Sequence, residues 1–332
     1  MLRILHDTKI DFIKSWRLAV GLTAAFIAAG LIALVLHGGL NQSVEFTGGT
    51  LMQLEFAKPP DVAEIRATVD AAGYPGSEIQ QFGTAREFTV RAAGHAASAG
   101  TPVQSAASEI KAALQRKFGA DDVRVAREEI VSPRVGDEFS RNAMIAILIS
   151  LGITLVYLAI RFEWRFGVAA VIATAHDLLS TLAFLAMMRL EVSLTVVAAL
   201  LTVIGYSLND TIIIFDRVRE NMKKARPESL YAVLNRSINE TLPRSVLTHV
   251  TVAAATLSLL LFAGEVIRPF SWIMLFGIVT GTFSSIYIAA PVLLWVEQRW
   301  PRSHGGKPGS SARSASTPPA RPSAPRSPVG AR

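Results

Sequence analysis

Inside the otherwise apolar run GYSLNDTIIIFDRVREN, residues 205–221, stand an amide and a carboxylate, Asn209 and Asp210. A carboxylate held in hydrocarbon costs at least ~2.5–3.5 kcal/mol on insertion scales, so it marks a functional site facing a helix-bundle interior. Two further apolar runs carry His176, Asp177 and His249, and Arg244 stands just ahead of the last of these. The chemistry open to such a set is proton carriage, because desolvation disfavours the charged form of a carboxylate and lets neighbours decide its protonation. Tyr206, Ser207, Ser180, Thr181, Thr248 and Thr251 add polar groups within a turn of these residues. The bland alternative is a hydrogen-bonded network that merely holds helices together, a use for which neutral groups suffice. Asp216 and Arg217, at the polar end of the run, read as solvated or salt-bridged.

Positioning these groups requires a bundle that crosses a bilayer. Apolar runs of about the ~20 residues that span hydrocarbon start near Leu18, Ala143, Phe166, Leu194, Ser245 and Trp272. The first is longer than a usual signal-peptide core, and HGGLNQ after it offers no small-residue cleavage site, so it reads as a true span. Counting 1.5 Å per residue, Asp210 lies roughly 9 Å from the end of span 4, with His249 at a similar level and His176 and Asp177 deeper. Spans 3, 4 and 5 thus share a polar interior, while spans 1 and 6 lack ionisable residues. Gly277 and Gly281 form a G-x-x-x-G on span 6, which permits close helix contact without naming the partner.

Lys and Arg concentrate at the N-terminus, at 161–165, at 217–244 and after Arg299, whereas the alternate short loops carry only Arg189 and Arg268. The positive-inside rule then places both termini in the cytoplasm. Residues 40–139 fall on the far side and alternate polar and apolar character like a compact domain. SVEFTGGTLMQLEF reads as a bent strand pair or a strand interrupted at Gly48-Gly49, and SPRVGDEF reads as a turn-like neck before span 2. The element order β-α-β-β-α-β predicts a ferredoxin-like plan. The chain therefore reads as an α-helical integral membrane protein with six transmembrane helices and one α+β ferredoxin-like exterior domain between spans 1 and 2. Its parts are a cytoplasmic N-terminus (1–17), the first span (18–39), the exterior domain (40–139), a five-span region (140–298) and a disordered basic cytoplasmic tail (299–332).

Composition agrees with a membrane protein: of 332 residues, 51% are hydrophobic and 18% charged. The formal charge of +7 resides almost wholly in residues 301–332, with Lys307, five arginines and no acid, so a nucleic-acid partner loses its support. Such a tail sits near anionic lipid. With no cysteine, disulfides, thiolate catalysis and Cys-ligated zinc are excluded. No G-x-x-x-x-G-K-[ST], H-E-x-x-H or G-x-S-x-G is present, so nothing suggests an enzyme, a cofactor or a metal. Work must then come from elsewhere, and a transmembrane potential supplies roughly 2.3 kcal/mol per elementary charge per 100 mV.

Several motifs carry a resemblance: VEFTGGT after span 1, SPRVGDEF before span 2, AHD in span 3, VIGYSLNDTIIIFDRVREN in span 4 and GTFSSIYIAAP in span 6. Over residues 8–298 the chain resembles the SecF family of bacterial protein-export membrane proteins, related to the resistance-nodulation-division transporters. The resemblance implies an inner-membrane partner of SecD that uses the proton-motive force in late steps of protein export. It also implies contact with the SecYEG translocon, YajC, unfolded secretory proteins and lipid. The family's LND aspartate falls on Asp210 beside Asn209, and its L-x-R-[ST] arginine on Arg244. A proton path through Asp210, Arg244 and Asn209, with His176 and Asp177 in weaker roles, is the resulting expectation. Two positions depart from the family's pattern, since the usual glycine and aspartate before FTGG are Ser43 and Glu45. A proton-coupled exporter of small molecules or lipids is the rival reading, with the same polar interior but a larger exterior part expected.

Overall fold

The computed structural model describes residues 8–93, 103–224, 228–264 and 266–301. The small-residue loop near 94–102 lies outside the described residues, as does all but residues 299–301 of the tail (299–332) expected to be disordered. Six helical segments are long and apolar enough to cross a membrane. The first holds α1 (Trp16–Leu36), followed by α5 (Pro133–Arg161), α6 (Trp164–Met188), α7 (Leu194–Lys224) and α8 (Leu230–Phe262). The sixth runs through α9 (Arg268–Ser284), a π-wound turn (Ser285–Ala289) and α10 (Ala290–Arg299). The chain is thus a multi-pass membrane protein.

Between α1 and α5 lies the α+β domain: α2 (Val44–Thr47), β1 (Gly49–Phe56), α3 (Val62–Ala71), β2 (Glu78–Gln81), β3 (Glu87–Ala93), α4 (Val103–Phe118) and β4 (Val123–Val131). The strands form an antiparallel sheet in the order β2-β3-β1-β4, as the ferredoxin-like plan requires. Alternation along β1 and β3 turns Met52, Leu54, Phe88 and Val90 onto one face, where Ile65 and Val69 of α3 and Ile110 and Leu114 of α4 close the core.

Two local expectations are overturned. Val44–Thr47 is a helical turn, not a strand, because Ser43 is extended at its start and Gly48, at φ +68°, ends it before the sheet begins. The expected neck SPRVGDEF is instead the first turns of α5, with Pro133 near its start, where a missing N–H and a fixed φ are no handicap.

The membrane helices pack around two apolar clusters. One unites Ala170 and Ala173 of α6, Ile214 and Phe215 of α7, Val233 and Ile238 of α8 and Leu293 of α10. The other unites Leu185 of α6, Val196, Leu200 and Val203 of α7, and Ile273 and Met274 of α9. On α6 and α7 the buried polar residues between Thr174 and Thr181 and between Ser207 and Thr211 lie where the two clusters meet, with Leu208 of the first cluster among them, so a polar layer separates most of the two.

Candidate proton-carrying site

Asp177 on α6 is 1 % exposed, and Asp210 on α7 is 3 % exposed. Their surroundings differ. Asp177 Oδ2 accepts from the Ser284 hydroxyl of α9 at 2.7 Å and also from Ser207 of α7, while Oδ1 lies 3.1 Å from His176 Nδ1. Three helices therefore meet at this one carboxylate. Thr181 donates to the Asp177 carbonyl at 2.7 Å, which keeps its own hydroxyl within α6. Asp210 Oδ1 accepts from the Ser245 hydroxyl of α8 at 2.5 Å, whereas its buried Oδ2 has no hydrogen-bond partner among the described residues.

Ser207 and Asp210 are three residues apart and so share a helix face. One turn on, Thr211 lies 2.8 Å from Ser285 in the π-wound turn. That wider turn directs the adjacent Ser284 and Ser285 to Asp177 and Thr211, and such π segments recur at functional sites. Close approach makes these contacts possible. A Cβ at Gly281 would lie 2.9 Å from Ser207 Cβ, and one at Gly277 would lie 2.3 Å from Val203 Cγ2. The G-x-x-x-G of span 6 thus seats against α7.

His249 is half-buried, with Nδ1 2.8 Å from the Thr282 hydroxyl and its ring 5.3 Å from that of Tyr206. His176 is likewise half-buried, 3.5 Å from Ser180 Oγ. Asn209 and Arg244 are exposed on the outer faces of α7 and α8, and no ion pair joins Arg244 to Asp210 among the described residues. Thr248 and Thr251 are also exposed and donate to backbone carbonyls of α8. Asp216 accepts two bonds from Arg161, at 2.8 and 3.0 Å, outside the polar layer.

The interior therefore includes span 6, contrary to the expectation that spans 3, 4 and 5 alone share it, because serine hydroxyls rather than ionisable groups carry its contribution. Ser245, Thr211, Ser284 and Ser285 were also missed. Ser245 follows Arg244 in the L-x-R-[ST] segment and Ser284-Ser285 lie in GTFSSIYIAAP, so the signal in the sequence is a hydroxyl within each of these motifs. Among the described residues no three His, Asp or Glu side chains converge into a metal-ligating set.

Fold and site define a class: a multi-pass membrane protein that holds two carboxylates in a buried polar layer and carries a small α+β domain after its first span. The model for the C-terminal part of protein export membrane protein SecD/SecF matches residues 110–299, and that for the SecD/SecF GG motif matches residues 33–60. The protein translocase subunit SecF of Gemmatimonas aurantiaca is 60% identical over 307 residues, 91% of either chain. That of Desulfurispirillum indicum is 42% identical over 89% of this chain and 94% of the relative. A crystal structure of a Thermus SecDF, described as a translocon-associated membrane protein, superposes with a TM-score of 0.78 at 35% identity. That match covers 90% of this chain but only 40% of the larger SecDF chain. The chain belongs to the SecD/SecF family.

Proposed function

We propose that the chain works as the SecF-type partner of a SecD subunit beside the Sec translocon, using the proton-motive force in late steps of protein export and doing no covalent chemistry itself. Asp210 is the proton carrier. The observation that supports this most is its half-satisfied carboxylate: Ser245 holds one oxygen and the buried second oxygen has no donor. Buried polar groups are nearly always paired, and the exceptions call for a functional account. A proton at the free oxygen removes the charge, and its departure restores it.

Asn209 and Arg244 face outward from apolar helices, an unfavourable setting against lipid and a suitable one against a second subunit. We assign that face to SecD, with Arg244 approaching Asp210 when the helices shift. His176 and Asp177 support the path by tying α6 to α7 and α9. Both termini lie in the cytoplasm by the distribution of Lys and Arg, and the α+β domain lies outside, where it meets unfolded secretory chains. YajC and the lipid bilayer complete the surroundings, and the basic tail sits near anionic headgroups.

Export of a secretory precursor into inverted vesicles, with and without a proton gradient, tests the assignment. Asp210→Asn is expected to abolish stimulation by the gradient while the subunit still co-purifies with SecD. Unchanged stimulation would sink the assignment.

A further inference from the structure

Proton carriage leaves the GG-motif turn without a role, although α2 sits where the sheet, α5 and α7 meet. One side of α2 is seated backbone to backbone. A Cβ at Gly136 of α5 would lie 2.8 Å from the Phe46 carbonyl oxygen, and one at Gly48 would lie 2.7 Å from Pro133 Cα. The other side reaches α7. Glu45 Oε2 accepts from the backbone N–H of Leu194, the first residue of α7, at 2.6 Å, and also from the Ser43 hydroxyl at 3.3 Å. Two backbone bonds flank this contact: Ser43 N–H donates to the Val192 carbonyl at 2.9 Å, and Val192 N–H donates to that of Asn41 at 2.7 Å. Arg91 of β3 adds a fourth tie, pairing with Glu191 at 2.6 Å while also holding Glu78 of β2 at 3.0 Å.

The first N–H groups of a helix have no intrahelical acceptor and carry the positive end of its dipole, so a carboxylate is the favoured partner there. Asp210 lies sixteen residues further along α7, roughly 24 Å at 1.5 Å per residue, with no proline between them. The same helix thus bears the buried carboxylate at one level and the domain's carboxylate at its tip.

We propose that Glu45 is a positioning residue for export: it fastens the tip of α7 to the α+β domain, so that movement of α7 is passed to the domain. This rests on the reading of Asp210 as the proton carrier, because a change of charge there is what moves α7. Aspartate carries the same charge on a side chain one methylene shorter, and a neutral amide does not.

Proteoliposomes holding the translocon, a SecD-type subunit and the full chain allow proton flux and precursor export to be read together. In Glu45→Gln, export per proton is expected to fall about five-fold or more while flux stays within about two-fold, and Glu45→Asp should keep most of the native ratio. A native ratio in Glu45→Gln would overturn the coupling role. Equal loss of flux and export in Glu45→Gln would overturn it too, since a merely structural residue lowers both. Asp210→Asn, measured in parallel, judges the carrier assignment separately: retained flux there overturns that assignment, and the Glu45 ratio still decides whether the tip of α7 is tied to export.

Discussion

Asp177 and Asp210 are buried at the same layer on neighbouring helices, but only Asp177 has donors on both oxygens. A saturated carboxylate fixes the helices that supply its donors; under the proposed function the half-satisfied one takes the proton. Hydrogen bonds to charged groups contribute about 1.5–3 kcal/mol each, so Asp177→Asn should lower the thermal stability of the purified chain in detergent. Asp210→Asn should leave that stability near native or raise it, because it removes a charge with an unmet oxygen. Fluorescence-detected size exclusion after heating would separate the two. In the sequence Asp177 takes the weaker role because the LND motif falls on Asp210, and one of the donors to Asp177, Ser284, is 107 residues away with no charged neighbour to mark it. A simpler case is Tyr74, buried in the α+β domain with its hydroxyl donating to Glu109 at 2.8 Å. Burial first, and then the Glu109 contact, push its phenol up to about 12. A raised pKa means that this group's contribution is complete below pH 10 and is lost as pH rises through the folded value. Absorbance titration should show a late-ionising tyrosine component, and Tyr74→Phe should reduce its amplitude at a cost of about 0.5–1.5 kcal/mol.

Between α7 and α9 the contact depends on missing side chains. Gly277→Leu must push Val203 aside, and overpacking of this kind costs about 1–3 kcal/mol, so it should destabilise the chain. Gly21→Ala on α1 meets nothing within 4 Å and should be silent in the same melting assay. At the junction of domain and bundle, Glu191 has its carboxyl pushed above the ordinary value by burial, with Arg91 pulling it back. A carboxyl raised in the folded state contributes stability below its unfolded pKa, and that contribution is lost as pH climbs through the folded value. Glu191→Gln should therefore flatten the pH dependence of domain stability just above the ordinary glutamate range, as followed by thermal melts at stepped pH. Element order and span number were legible because their signals are periodic and long. The turn at Val44–Thr47 and the start of α5 were not, since four residues carry no period, and Pro133 and Gly136 read as a break when taken without Phe46 and Gly48, which pack on them.

As a whole the molecule has two cores, a sheet-and-helix core in the α+β domain and a helical core interrupted by its polar layer, with α2 and the segment before α7 joining them. The span count and the ferredoxin-like plan could be read from pattern alone. The pairing of α9 with α7 could not, because small residues announce closeness without naming the neighbour. Within this whole, α7 touches all the relevant parts: both apolar clusters, the carboxylate layer and, through Leu194, the domain. The proposed coupling of proton flow to export requires Asp210 to change its charge. Proton uptake into proteoliposomes holding the full chain and a SecD-type subunit tests that most directly, comparing native protein with Asp210→Asn and Asp210→Glu. Flux lost in Asp210→Asn and largely kept in Asp210→Glu is the predicted result; native flux in Asp210→Asn would contradict it.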